Sequence, residues 1–306
     1  IMNKKYVYNF FRFLKLKNKN HMKKEIDIFL SKKIIKGTIL IADEGFNGSV
    51  SGEKEELNQL IIFLKKIFNI RKLEIKINEV DFAPFNRMKV RLKKEIVTLG
   101  KGKIDVEKLN GIKIEPKDWD KIIRDDEIYV IDVRNNFEIE IGSFENSINP
   151  NTKSFREFSK YVDKLKLKKN NKIAMYCTGG IRCEKASSYL KKCGYKNVMQ
   201  LKGGIIGYLN YNLKNKKKLL WNGECFVFDD RVTVNKSLMK GKYIQCFGCR
   251  RPITKKDTFS KKYIKGVSCP YCYDKRSESQ KKRSQDRQNQ IFQAERYNRQ
   301  NVFLKN

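Results

Sequence analysis

Histidine is almost absent from this chain of 306 residues, which contains a single one, His21. Catalysis by a Ser-His-Asp or Cys-His set within the chain is thereby excluded, and so is a two-histidine facial iron site. Acidic residues are scarce too: 34 Asp and Glu stand against 68 Lys and Arg, leaving a net charge of +34. A surplus spread over the whole length points to a polyanionic partner with a long footprint, although an AT-rich coding bias toward Lys, Ile and Asn would raise the charge by itself. No apolar run approaches the roughly 18 residues of a membrane span. No P-loop and no G-x-G-x-x-G occurs, so neither nucleotide, flavin nor haem is indicated. The opening residues Ile1-Met2-Asn3-Lys4-Lys5 lead into no apolar core and do not read as a secretory signal. The eight cysteines do not follow a disulfide scaffold, so a reducing, cytoplasmic location is expected.

What is present centres on Lys172-Ile173-Ala174-Met175-Tyr176-Cys177-Thr178-Gly179-Gly180-Ile181-Arg182-Cys183. An apolar strand ends on Cys177, a glycine turn follows, and a helix opens near Arg182 and runs over 183–192. Positive φ at Gly179 and Gly180 would let successive amides point at one atom. The helix N-terminus and Arg182 add positive potential there, and all of these favour the thiolate. Thr178, Gly179, Gly180, Ile181 and Arg182 thus form an anion cradle around a nucleophile. Its spacing is C-x4-R, one residue shorter than a cysteine phosphatase needs, and Tyr176 stands where such enzymes usually carry histidine. The shorter ring suits a single sulfur atom or a small anion. Cys183 is near enough to act as a resolving thiol, or else packs inward. Cys193 and Cys225 read as core or turn residues.

Two further segments agree. Ile128-Tyr129-Val130-Ile131-Asp132-Val133-Arg134 is an apolar run ending in Asp-Val-Arg, followed by Glu138, Gly142 and Asn149-Pro150; Asp132 and Arg134 are read as supporting residues. Asn197-Val198-Met199-Gln200-Leu201-Lys202-Gly203-Gly204 is a strand running into a glycine pair. With helices near 153–166 and 183–192, the alternation predicts a parallel sheet, with Cys177 at the carboxyl ends of its strands. The loop and the Asp-Val-Arg strand resemble rhodanese domains, whose loop cysteine carries a persulfide.

Three regions follow along the chain. Residues 1–100 predict an α+β unit in βαββαβ-like order, the ferredoxin/acylphosphatase arrangement, with helices over 21–34 and 53–68. Asp43-Glu44-Gly45-Phe46-Asn47-Gly48 reads there as an ordinary hairpin turn, its acids and glycines leaving a substrate-contact role open. Residues 101–124 lack periodicity and read as a linker, and 125–217 form the rhodanese-like unit. Residues 218–306 carry Cys246-Phe247-Gly248-Cys249, nineteen residues, then Cys269-Pro270-Tyr271-Cys272. C-x2-C-x19-C-x2-C fits a four-thiolate zinc site, structural because sulfur fills every position. The tail beyond it, with Lys275, Arg276, Lys281, Lys282, Arg283, Arg287, Arg296 and Arg299, reads as a frayed helix or disordered arm. It is either a solvated face or a contact for an RNA backbone.

Taken together, Cys177 through Ser187, Trp221 through Asp229, Lys89-Val90-Arg91 through Glu95-Ile96-Val97-Thr98 and the terminal cysteine pairs resemble the bacterial oxygen-dependent tRNA uridine hydroxylases. The resemblance implies an acylphosphatase-like domain ahead of a rhodanese domain, and conversion of the wobble uridine of tRNA to 5-hydroxyuridine. It further implies O2 as co-substrate, an external electron donor of unknown identity, and a requirement for Cys177. Partners would be tRNA, with neither DNA nor a membrane. Two other readings stay open: a sulfurtransferase carrying a Cys177 persulfide for tRNA thiolation, and a non-catalytic basic RNA-binding protein holding zinc. On the hydroxylase reading, Arg182 and Lys185 beside the cradle would serve turnover, and Arg296 and Arg299 would serve binding.

Overall fold

The first strand, β1 (Lys5–Phe13), is apolar on both faces, and the two faces serve different cores. In the computed structural model, which describes residues 4–216 and 218–297, Tyr8 and Phe10 point to one side and Phe11 and Phe13 to the other. The remaining elements of this region are α1 (Lys19–Leu30), β2 (Lys36–Ala42), β3 (Gly45–Gly52), α2 (Lys54–Ile67), β4 (Ile75–Val80) and β5 (Met88–Leu92). The sheet order is β4-β1-β3-β2-β5, antiparallel except where β5 runs parallel to β2. The elements from β1 to β4 complete the expected βαββαβ unit, and β5 is an addition at its edge. Ile26, Leu30, Leu57, Leu60 and Leu64 of the two helices bury against Tyr8, Phe10, Ile39 and Val50. At about 1.5–3 kcal/mol per buried side chain, this packing outweighs intrinsic helix propensity in holding α1 and α2.

The expected turn over 43–48 is shorter than the sequence suggests. Only Asp43 and Glu44 turn, and Gly45 already pairs with Phe13 and Ala42 in the sheet. The glycines that imitate a loop are there for space: a side chain at Gly48 would strike the Phe10 ring.

The stretch 101–124 is not a linker. It contains α3 (Val106–Leu109), β6 (Ile112–Ile114) and α4 (Trp119–Ile123). The elements that follow are β7 (Ile128–Asp132), α5 (Asn136–Ile139), β8 (Gly142–Phe144), α6 (Phe155–Asp163), β9 (Lys172–Tyr176), α7 (Ile181–Lys192), β10 (Asn197–Leu201), α8 (Gly204–Asn215) and β11 (Trp221–Gly223). β6 is the outer strand of a parallel sheet, β6-β10-β9-β7, and Trp119 is fully buried. Three residues of strand and five of helix are too short to show periodicity, so long-range pairing orders them. β9 lies inside the sheet and delivers Cys177 to its carboxyl edge, as the alternation predicts.

Phe13, Ala42, Ile96 and Leu99 share one apolar cluster with Phe158, Val162, Cys183, Ala186 and Leu190, so the acylphosphatase-like sheet and the parallel-sheet region are packed on each other. The chain divides into Ile1–Cys225 with Asn235–Met239, and Phe226–Val234 with Lys240–Asn306. Within the second unit, an antiparallel pair, Ile244–Gln245 with Pro252–Ile253, precedes the helix α9 (Glu278–Arg296). The tail is therefore helical rather than frayed over this range: Ser277 accepts from the Gln280 amide, and the Gln280 side chain accepts from the Ser277 amide. Arg299 lies outside the described residues. Among those described, no helix is long and apolar enough to cross a membrane.

Candidate active site and metal centre

Cys177 leaves β9 and is 1% exposed. The Gly180 amide donates to its Sγ at 3.0 Å. The loop shows this amide inward because its carbonyls are occupied elsewhere. Those of Cys177 and Thr178 accept from Ile205 and Ile206 at the start of α8, at 2.9 and 3.1 Å. The Gly180 carbonyl accepts from Glu184 in α7, and that of Gly179 accepts from Lys76. Gly204, at φ +63°, lies so close behind the loop that a side chain there would fall 2.4 Å from the Cys177 carbonyl oxygen. The glycine pair after β10 is thus the back wall of the cradle.

Of the two loop glycines only Gly180 is left-handed, at φ 99°. Gly179 does not need positive φ, contrary to the sequence reading. A Cβ at Gly179 would meet only the Lys76 Nζ, at an ordinary contact distance of 3.6 Å. Ile181 begins α7 and packs on the core.

Burial raises the Cys177 pKa, but the Cys183 thiol, the Arg182 charge and the amides of Cys183 and Gly180 outweigh it and bring it down to about 5. Cys183 packs inward, the second of its two expected descriptions, and lies against Cys177 as well. It is fully buried in the core, and its S–H donates to the Cys177 thiolate, which together with burial holds its own pKa well above the usual thiol range. Cys225 is buried, its thiol pushed up to about 12, and Cys193 closes α7, so neither joins the site.

Arg182 is placed as predicted but bonded differently. Its Nη1 and Nη2 donate to the two Glu138 carboxylate oxygens at 2.7 and 2.8 Å, and Nη2 also reaches Thr178 Oγ1 at 3.2 Å. Its charge favours the thiolate, while its donors clamp the loop to α5. Glu138 is fully buried and its carboxyl stays ionised, since burial is outweighed by Arg182 and Arg134. Glu138 stands four residues after Arg134 in the motif, yet the sequence reading assigned it no role. Asp132 and Arg134 form a fully buried pair beneath the site: Arg134 Nη2 donates to Asp132 Oδ2 and to the Gly142 carbonyl, both at 2.6 Å, and Nη1 donates to the Glu138 carbonyl. The Arg134 guanidinium also stacks over Trp221, 5.1 Å from the ring centroid. These two residues hold the floor of the site and do not touch Cys177 directly.

Lys185, expected to serve turnover beside the cradle, is instead buried and engaged by carboxylates. It is 0% exposed and donates to both Glu44 oxygens at 2.8 and 2.7 Å, to Glu95, and to the Val97 carbonyl at 3.0 Å. One lysine therefore ties α7 to the β2–β3 turn and to the segment after β5. Glu44 and Lys76 were missed because each reaches the site across more than a hundred residues of sequence.

A pH profile follows from this geometry. Alkylation of Cys177 by iodoacetamide is expected to be half-maximal near pH 5, against about 8.5 for an ordinary cysteine. The thiolate is present above that midpoint, so reactivity is lost as pH falls through it. Restricted access slows the reaction at every pH without moving the midpoint. A midpoint above pH 8 would show that the cradle does not stabilise the thiolate.

The second cysteine group lies in the other unit. The Sγ atoms of Cys246, Cys249, Cys269 and Cys272 all fall within 4.8 Å of one another. Three separations, Cys246–Cys272 at 3.9 Å, Cys249–Cys269 at 3.8 Å and Cys269–Cys272 at 3.8 Å, match the edge of a tetrahedron with metal–sulfur bonds of about 2.3 Å, which is ~3.8 Å. Gly248 is required by close approach, since a side chain would meet the Val267 carbonyl at 2.2 Å. The site can hold a metal ion.

Residues 6–96 match the family described as UPF0176 acylphosphatase like domain, and residues 115–211 match Rhodanese-like domain. The chain is 47% identical over 300 residues, 98% of each chain, to the tRNA uridine(34) hydroxylase of Pelagibacter ubique strain HTCC1062. Similar solved structures include a rhodanese-related protein from Thermoplasma volcanium, 29% identical, covering 33% of this chain and 92% of that one at a TM-score of 0.28. A rhodanese-like domain protein from Staphylococcus aureus is 19% identical, covering 32% and 90%, also at a TM-score of 0.28.

Proposed function

Because the chain belongs to the tRNA uridine(34) hydroxylase family, we propose that it converts uridine 34 of tRNA to 5-hydroxyuridine with Cys177 as the nucleophile. The observation that carries this reading is the Cys177 sulfur, held by the Gly180 amide and the Cys183 thiol as a thiolate at neutral pH. Thiolate addition to C6 of uracil forms an S–C6 bond and moves the C5=C6 electron pair toward C5 and O4. C5 then becomes the carbon that reacts with O2. One oxygen atom ends on C5 and the other leaves as water, while two electrons and two protons come from an external donor. Loss of the C5 proton together with the thiolate on C6 restores the C5=C6 bond and the free enzyme. The uridine must be unstacked to reach the loop, as enzymes acting on a base require. The charge of +34 supports a polyanionic substrate and a location in the cytoplasm with tRNA.

The four-cysteine group would hold zinc through Cys246, Cys249, Cys269 and Cys272, and the ion would supply local folding energy rather than chemistry, since sulfur fills all four positions. The surrounding cluster is small, with Ile253 and Tyr263 the apolar partners of the cysteines, so a metal cross-link suits it.

The test is a reaction under 18O2 with unmodified tRNA and a chemical reductant, followed by nucleoside mass spectrometry. Hydroxyuridine carrying one heavy oxygen is expected. A thiolated uridine, or label arriving from water, would replace this reading with sulfur transfer or hydration.

A further inference from the structure

Lys76 reaches the Cys177 loop from the other sheet of the same unit. Period-two alternation in β4 sends Ile75 into the helix-covered core and Lys76 to the opposite face, the one bearing Phe11. There its Nζ lies 5.7 Å from the Phe11 ring centroid and donates to the Gly179 carbonyl. The side chain stands over the bare backbone of the loop. A Cβ at Gly179 would be 3.6 Å and one at Gly180 3.9 Å from Nζ, and one at Gly203 would be 3.6 Å from Cε. Among the described residues, the Gly179 carbonyl is the one hydrogen-bond acceptor given to this ammonium, and no carboxylate lies within ion-pairing distance. Burial lowers its pKa, and the largest opposing influence is the charge of Cys177. A half-buried ammonium at the rim of a thiolate loop is placed to meet developing negative charge.

We propose that Lys76 is a catalytic residue of the hydroxylation, donating to the uracil O4 oxygen as that oxygen gains charge during addition of Cys177 to C6. The role rests on the C6-addition reading of the reaction. When the S–C6 bond forms, the displaced electron pair is shared between C5 and O4, and the ammonium stabilises it by exchanging its bond to the Gly179 carbonyl for one to O4. Arg182 cannot take this part, because Glu138 and Thr178 engage it. The acylphosphatase-like sheet thus contributes a reacting group to the rhodanese loop as well as packing against it.

The experiment uses the full chain and a tRNA carrying 5-fluorouridine at position 34, incubated without O2, so that C6 addition followed by protonation at C5 leaves a covalent adduct visible by mass. Lys76→Met is expected to slow adduct formation on the order of 100-fold, as loss of one oxyanion donor does, while Lys76→Arg recovers most of the rate. The loss is expected in the rate constant at saturating tRNA, with the half-saturating concentration little changed. Iodoacetamide alkylation of Cys177 measures the loop itself and is expected to change by less than about tenfold in Lys76→Met. An adduct formed at the unsubstituted rate in Lys76→Met would overturn the proposal, and so would a parallel collapse of alkylation, which would make Lys76 a structural prop. If the unsubstituted protein forms no adduct, C6 addition fails first and the assigned role falls with it.

Discussion

Replacing Cys177 by alanine is expected to lower 5-hydroxyuridine formation on tRNA on the order of 10³-fold or more, since removal of a nucleophile forfeits the step it performs. Serine is expected to do no better. The cradle lowers the Cys177 pKa to about 5 from an already modest thiol value, whereas a hydroxyl begins so much higher that the same interactions leave it protonated. Cys177 is 1% exposed and alanine removes a single heavy atom from it, so the alanine variant should lose about 1 kcal/mol of stability. Thermal unfolding therefore separates lost chemistry from lost fold. Nucleoside mass spectrometry of tRNA treated with each variant supplies the activity. Near-normal hydroxylation in a folded Cys177→Ala protein would remove Cys177 from the chemistry and overturn its assignment as the nucleophile.

Losing one of the proposed zinc ligands is expected to have an equally large but confined effect. Cys269 is fully buried among the other three cysteines. Structural zinc contributes about 10–16 kcal/mol of apparent binding energy in small zinc-binding peptides, more than a cluster of this size gains by burial. With Cys269→Ser, amide protection from Ile244 to Arg276 should collapse in hydrogen exchange, and the zinc content should fall from one ion per chain toward none. Protection in β9 and α7 should stay unchanged, because the Cys177 core draws on α6, α7 and the parallel sheet. A chelator should reproduce the pattern. Zinc-free purified protein with the same protection between Ile244 and Arg276 would rule the metal out.

Sequence reading reaches far where a function depends on a short contiguous stretch. The Cys177 loop, its glycines and Arg182 sit within six residues, and the cysteine pairs form their knuckles locally, so spacing exposes both. Asp132 and Arg134 belong to the same class, two residues apart on one strand end. Glu138 was half legible: its offset from Arg134 is visible, but its partner Arg182 lies 44 residues on. The error at 101–124 has the same origin, because β6 is a strand only through its pairing with β10.

From the sequence alone come the candidate nucleophile, the glycine turn that follows it, the four clustered cysteines and the order of the domains, because each is written in neighbouring residues or in periodicity. Tertiary structure alone decides which charges meet. Alternation places Lys76 on one face of β4 but does not reveal that the rhodanese loop lies against that face. Lys185 looks like any surface cation until α7 packs against Glu44 and Glu95, and Arg182 looks like an open anion donor until α5 brings Glu138 to it. The physical reason is that a charge acts over a few ångströms of space, and the fold, rather than chain separation, sets which groups lie that close.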